Sequence, residues 1–317
     1  MSDAIRLAVS ACLLGQNVRY DGGHKLDPFL RDTLGQYVEF VPVCPEVECG
    51  LPVPREAMHL AGDPERPRLV TVKTGRDITG QMEAWGARRL DELESERLCG
   101  CIFKSRSPSS GMERVTVYTE SGTAGPKTGV GIWARMFMAR FPLLPVEDEG
   151  RLHDPKLREN FIERVFVFQR WRDLLAAGRS ASGLVDFHTR HKLLIMAHSV
   201  EAYRELGRLV ADLRRSSPAE TVDRYLAGLS GALRLIATPR KNANVLHHVM
   251  GYFKKVLAPD EKQELLEVID AYRREAVPLV VPVTLLNHYV RKYGQPYLEK
   301  QVYLNPHPLE LKLRTHV

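Results

Sequence analysis

Residues 5–15, IRLAVSACLLG, decide the fold of the first part of the chain. Ile5–Ser10 is short, apolar and without helical spacing, so it reads as a buried strand, and Cys12 and a turn follow it at once. Two later stretches repeat the arrangement. Residues 37–46, YVEFVPVCPE, carry a strand that runs into Cys44-Pro45-Glu46, and residues 99–111, CGCIFKSRSPSSG, carry a strand that runs into a serine-rich turn. Arg68–Lys73 alternates like a further strand, and Val115–Tyr118 reads as an edge strand. Gln81–Glu96 has helical spacing through Met82, Trp85, Leu90 and Leu93, and a glycine-rich stretch opens an apolar helix at Ile132–Phe141. Strands separated by helices predict an α/β domain with a mostly parallel sheet.

The remainder is different. Residues 141–154, FPLLPVEDEGRLHD, combine prolines, acidic residues and a glycine, and read as a domain boundary. Beyond it the spacing predicts only helices, at about 155–177, 186–214, 217–236, 241–257, 259–275 and 279–293, with stops at Ser216-Ser217-Pro218 and Ala258-Pro259. The expected organisation is an α/β domain over 1–150, a linker helix over 151–185 and an all-α helical bundle over 186–317.

Charge and cysteine follow the same division. The 317 residues carry a formal net charge of +6, and all of the excess lies after residue 185. All five cysteines lie before it: Cys12, Cys44, Cys49, Cys99 and Cys101. An odd number of cysteines without an export signal points to metal ligation or thiol chemistry, not a disulfide framework. Cys99 and Cys101 sit inside a strand and read as buried apolar thiols. The start of the chain lacks a basic segment and a cleavage site, and no apolar run approaches the ~18–20 residues of a membrane span, so a cytoplasmic protein without membrane contact is expected.

In an open parallel sheet, residues just beyond the carboxyl ends of different strands converge on one crevice. Cys12, Cys44 with Glu46, and the turn at Ser107–Gly111 are placed to meet in this way, as a metal or reactive-thiol site; buried structural cysteines are the alternative. Arg19, Tyr20 and Asp21 read as turn structure, and Gly129 and Gly131 as a tight entry into a helix. A lone GxG is a weak nucleotide signal.

At these residues the chain resembles a known family. SACLLG-x-x-VRYDGG (10–23), VCPE (43–46), GLPVPRE (50–56), GCIFKSRSPSSG (100–111) and GVGI (129–132) are similar to the domain of unknown function 523 family, which includes the thiouracil desulfidases. FHTRHKLLIMAHS (187–199), YRELG (203–207) and RKNANVLHHVMGYFKK (240–255) resemble the domain of unknown function 1722. The first resemblance implies a [4Fe–4S] cluster held by three cysteines, and non-redox desulfuration of a 2-thiouracil-like pyrimidine or nucleotide. Carried over by motif, the ligands fall at Cys12, at Cys44 with Cys49 as its alternative, and at position 110. Glu46 and Ser107 become the residues that bind substrate and transfer protons; if the cluster is intact, Lys104, Arg106 and Ser109 are the expected substrate contacts.

The family motif ends SPSCG, whereas this chain has Ser109-Ser110-Gly111. A serine hydroxyl is a hard donor, poorly suited to iron–sulfur ligation. Three readings of Ser110 stay open: an engineered or inactivating change that impairs desulfuration, a natural weakening with Cys49 completing the set, or loss of the cluster.

In the helical part, His188, His191 and His198 recur at near-helical spacing, which reads as core, capping or surface roles in preference to a metal site. Residues 240–255 interleave cations, amides and an aromatic. They read as a solvated basic face or as a contact for RNA phosphates and bases, and a nucleic-acid-binding protein is the alternative function.

Overall fold

The first unit is built outward from a central strand whose residues Leu7–Val9 are at most 1% exposed. The computed structural model describes residues 4–213 and 218–316, divided into two units at Asp154/Pro155. The strands of the first unit are β1 (Arg6–Ser10), β2 (Glu39–Val43), β3 (Met58–Ala61), β4 (Arg68–Thr71), β5 (Gly100–Phe103), β6 (Val117–Tyr118) and β7 (Val146–Asp148). Four of them form a sheet of order β2-β1-β5-β7, parallel throughout. Leu7–Val9 of β1 are apolar because both faces and both edges of the strand are covered there, as a central parallel strand requires, with Arg6 and Ser10 at its ends. β3, β4 and β6 form a second, three-stranded sheet, antiparallel between β3 and β4 and parallel between β3 and β6.

The α-helices among the described residues of this unit are α1 (Pro45–Glu48), α2 (Thr79–Ser95) and α3 (Ile132–Arg140). The helical spacing of Met82, Trp85, Leu90 and Leu93 is met on α2, where all four are buried. Trp85 packs on Trp133 of α3 with ring centroids 4.8 Å apart. A Cβ at Gly86 would stand 3.0 Å from the flexible end of Met136, so the glycine eases the close crossing of the two helices.

Two strands escape the sequence reading. β3 lies in a stretch without strong alternation. β7 lies inside the acidic run read as a boundary: Glu147 and Asp148 register against Ile102 and Phe103 of β5. Backbone pairing to an existing sheet edge makes this segment a strand, although its side chains do not suggest one.

The second unit is helical, with α4 (Pro155–Ala176), α5 (Ala181–His198), α6 (Val200–Ala211), α7 (Pro218–Leu233), α8 (Pro239–Met250), α9 (Pro259–Arg273), α10 (Val280–Lys292) and α11 (Pro296–Glu299). α4, in the stretch read as a linker helix, places Val167 and Trp171 in this unit's core. Trp171 stacks on Tyr225 at 5.6 Å. The single helix expected over 186–214 is two helices. Ser199 is extended (φ −153°, ψ 115°) and its hydroxyl accepts the backbone N–H of Ala202, capping α6. The stop read at Ser216-Ser217 lies outside the described residues.

The three histidines have separate structural partners. His188 Nδ1 lies 3.0 Å from Tyr225 Oη, and His191 Nδ1 lies 2.7 Å from the carbonyl of Phe187. His198 Nε2 is 2.6 Å from Glu163 Oε1. Among the described residues no helix is long and apolar enough to cross a membrane.

Candidate active site

The parallel register sets Ser10 of β1 beside Val43 of β2. Cys12 and Cys44 therefore leave the same edge of the sheet on adjacent strands. Cys12 lies in a single 3-10 turn (Ala11–Leu14), ended by Gly15 in the left-handed region (φ 89°). Cys44 precedes α1, whose first residue is Pro45. Proline suits that position because its missing N–H would have no helical partner. Ser10 Oγ accepts the backbone N–H of Lys104 at 2.9 Å, which ties the end of β1 to the turn after β5.

That turn is held from within and from behind. Gly111 N–H donates to the Ser107 carbonyl at 2.8 Å. The N–H groups of Ser109 and Ser110 donate to Ser107 Oγ at 3.3 and 3.1 Å. From α3, Ile132 and Ala134 donate N–H groups to the carbonyls of Pro108 and Ser109, and Gly131 donates to Gly111. A Cβ on Gly131 would stand 2.4 Å from the Ser109 carbonyl oxygen, and one on Gly129 2.9 Å from that of Val115. These glycines permit close backbone approach, which accounts for the GVGI motif without a nucleotide.

The three turns enclose a cavity of about 570 Å³, lined among others by Cys12, Cys44, Glu46, Lys104, Arg106, Ser107 and Ser110. Two residues named from sequence stand elsewhere. Cys49 is not on the cavity surface, and its thiol faces the Glu46 carbonyl at 3.3 Å. Ser109 is fully buried and off the cavity surface, with its hydroxyl on Glu46 Oε1. Arg19 and Tyr20 line the cavity too, while Asp21 pairs with Arg19 at 3.3 Å and accepts the Gly23 N–H, as turn structure requires.

Sequence reasoning missed two residues. Arg55 sits in the GLPVPRE motif without an assigned role. Its guanidinium faces Glu46 Oε2 at 3.6 Å and donates to the Val18 carbonyl at 2.9 Å. Glu149 ion-pairs with Lys104 and accepts from Ser105 N–H at 2.6 Å. The first has a signal in its motif. The second has none, because only the pairing of β7 with β5 brings it near.

Burial, reinforced by the charge of Glu46, pushes the Cys12 thiol up to about 11 and the Cys44 thiol up to about 12. Burial likewise raises Cys49. At neutral pH the protein by itself thus presents protonated thiols, and only a bound cation would make thiolates of them.

The donor set does not fit a cluster held by three cysteines. Two thiols reach the cavity, and the third position is the hydroxyl of Ser110, which is 3% exposed. Among the described residues no three His, Cys, Asp or Glu side chains are grouped to hold a metal ion.

Comparison with known proteins agrees with the division into two parts. A profile described as 2-thiouracil desulfurase matches residues 7–149, and one described as protein of unknown function (DUF1722) matches residues 192–308. The uncharacterized protein YbgA of Escherichia coli (strain K12) is 35% identical over 152 residues, 48% of this chain and 90% of YbgA. The uncharacterized protein YbbK of Bacillus subtilis (strain 168) is 28% identical over 137 residues, 41% of this chain and 87% of YbbK. A solved structure titled [4Fe-4S]-dependent thiouracil desulfidase TudS is 30% identical with a TM-score of 0.38, covering 47% of this chain and 94% of its own. The chain belongs to the 2-thiouracil desulfurase family through its first unit and carries a DUF1722 domain in its second.

Proposed function

We propose that the first unit is a desulfurase site for a thiolated pyrimidine of the 2-thiouracil kind, impaired by the hydroxyl at position 110. One observation carries the reading: Cys12, Cys44, Ser110 and the carboxylate of Glu46 meet on one cavity although they follow three different strands. The family match supports the same chemistry.

The reaction replaces C=S by C=O. The water oxygen bonds to the ring carbon, the C–S bond breaks, and the water protons leave with sulfur as sulfide or pass to solvent. Glu46 takes a proton from the attacking water, the role of a general base placed within reach. Ser107 lines the cavity wall beside the pyrimidine, and its hydroxyl is linked through Ser109 to the Glu46 carboxylate. Lys104, steadied by Glu149, and Arg106 hold the remaining carbonyl oxygen of the pyrimidine. Arg106 adopts φ +58°, a backbone state uncommon outside glycine.

The test is iron and sulfide content, with turnover of 2-thiouracil, in anaerobically prepared protein carrying serine or cysteine at position 110. The expected result is little iron and little turnover with serine, and a gain of both in Ser110→Cys. A Ser110→Cys protein that binds no iron overturns the reading.

The basic segment of the second unit divides its residues between two kinds of work. Asn242 is buried and accepts from Tyr303 at 3.0 Å, and Lys241 Nζ donates to the His198 carbonyl at 2.8 Å. Tyr252, Lys254 and Lys255 are exposed. Arg240, Asn244, His247 and His248 are exposed as well, so this is a solvated basic face in which Lys241 and Asn242 serve packing.

A further inference from the structure

We infer that Ser109 is a positioning residue which holds Glu46 and Ser107 in one fixed arrangement and does not touch the substrate. The inference rests on the reading of Glu46 as the group that acts on substrate and of Ser107 as part of the cavity wall.

Each oxygen of the Glu46 carboxylate is claimed by a different part of the chain. Oε1 accepts the Ser109 hydroxyl. Oε2 accepts the Cys44 thiol at 3.4 Å and faces Arg55 at 3.6 Å. The Arg55 side chain is 7% exposed and is itself anchored on the Val18 carbonyl, so this side of the clamp is rigid.

Hydrogen-bond capacity then fixes the direction of the chain of hydroxyls. A serine hydroxyl has one hydrogen and two lone pairs. Ser107 Oγ accepts two backbone N–H groups, from Ser109 and Ser110, and so has only its hydrogen left to offer. Ser109 Oγ is its side-chain neighbour at 2.9 Å. Ser109 accepts that hydrogen and spends its own on Glu46. With no exposure and no unspent hydrogen, it has nothing to give a ligand in the cavity. The two residues that do face the cavity, Ser107 and Glu46, are thereby coupled through a third that does not.

The experiment has two arms. In the first, Ser109→Ala, Glu46→Ala and the double variant are made in the chain as it stands and melted. If Ser109 holds Glu46, the losses in Tm are non-additive, the double variant melting no lower than the less stable single one. Additive losses overturn the inference.

In the second arm Ser109→Ala is placed in a Ser110→Cys background with 2-thiouracil as the probe. Loss of position, as distinct from loss of binding, predicts kcat lowered about 10- to 100-fold with KM within about twofold. A raised KM with unchanged kcat makes Ser109 a substrate contact and overturns the inference. The functional reading fails separately: Glu46→Ala turning over at the full rate, or no turnover in the Ser110→Cys background, overturns that reading, while the melting arm still decides whether Ser109 holds Glu46.

Discussion

Arg314 reaches Glu163 across 151 residues of chain, with Nη2 3.3 Å from Oε2 and both side chains buried. Its Nε faces Glu159 Oε1 at 3.1 Å, and its Nη1 donates to the Tyr303 carbonyl at 2.7 Å. His198 approaches Glu163 from the other side at 2.6 Å. His316 faces Glu159 at 3.4 Å, and burial pushes the Glu159 carboxyl up to about 7, so near neutral pH it is only partly ionised. A buried pair of this kind adds little net stability when intact, but it is costly to break from one side.

Arg314→Ala leaves Glu159 and Glu163 buried without the guanidinium, with His316 and His198 beside them. The expected loss is about 3–5 kcal/mol. Chemical denaturation followed by circular dichroism measures it. A loss below about 1 kcal/mol would mean that water compensates the carboxylates.

Stability of the same network should depend on pH at both ends. Burial alone would raise Glu163 and lower His198; their mutual attraction and hydrogen bond outweigh it, so Glu163 lies below its ordinary 4.5 and His198 above its ordinary 6.5. The Glu163 contribution is present above pH 4.5 and is lost as pH falls through its lowered value. The His198 contribution is present below pH 6.5 and is lost as pH rises through its raised value. The Tm of His198→Phe should therefore differ most from that of the unaltered chain between these limits, and the difference should narrow at alkaline pH. A difference that is constant from pH 5 to pH 10 contradicts this.

Gly131→Ala is expected to displace the 107–111 turn. The added methyl would stand 2.4 Å from the Ser109 carbonyl, where backbone and not a flexible side chain must yield. Overpacking of this kind costs about 1–3 kcal/mol. A lowered Tm, together with loss of any iron binding gained by Ser110→Cys, is the expected pair of results.

Ser199→Ala removes the cap between α5 and α6. The cost is about 1 kcal/mol, readable as a drop in Tm of roughly 2–4 °C for a domain of this size. Ser199→Asp should restore the stability, because aspartate caps equally well and its charge suits the amino end of α6.

Cys12 and Cys44 are expected to resist alkylation in protein prepared without iron. With their thiols pushed up to about 11 and about 12, few are ionised at pH 8. Iodoacetamide labelling followed by peptide mass spectrometry should show rates roughly 100-fold or more below those of the same cysteines in unfolded chain, which follows from the thiolate fractions. Equal rates would mean that the folded cavity does not hold the thiols as described.

Cys12, Cys44 and the serine turn are legible as a site because each follows an apolar run that can only be a buried strand. Parallel pairing then brings their ends to one edge. The helical character of the second part is legible for the same kind of reason, since its apolar spacing suits no other element. Ser199 shows the limit: spacing runs unbroken through 186–214, while a single side-chain hydrogen bond to Ala202 ends one helix and starts the next. Local pattern does not register that competition.

By itself, then, the sequence determined the two-part architecture, the parallel sheet, and which residue types gather beyond its strands, because burial periodicity is a local property. Only the tertiary structure decided which of two neighbouring serines faces the cavity. Ser107 lines it and Ser109 is sealed beneath Glu46, because α3, admitted by Gly131, packs against the back of their turn. It likewise made a strand of Val146–Asp148 and brought Glu149 to Lys104, since a sheet edge can recruit backbone whose side chains carry no sign of it.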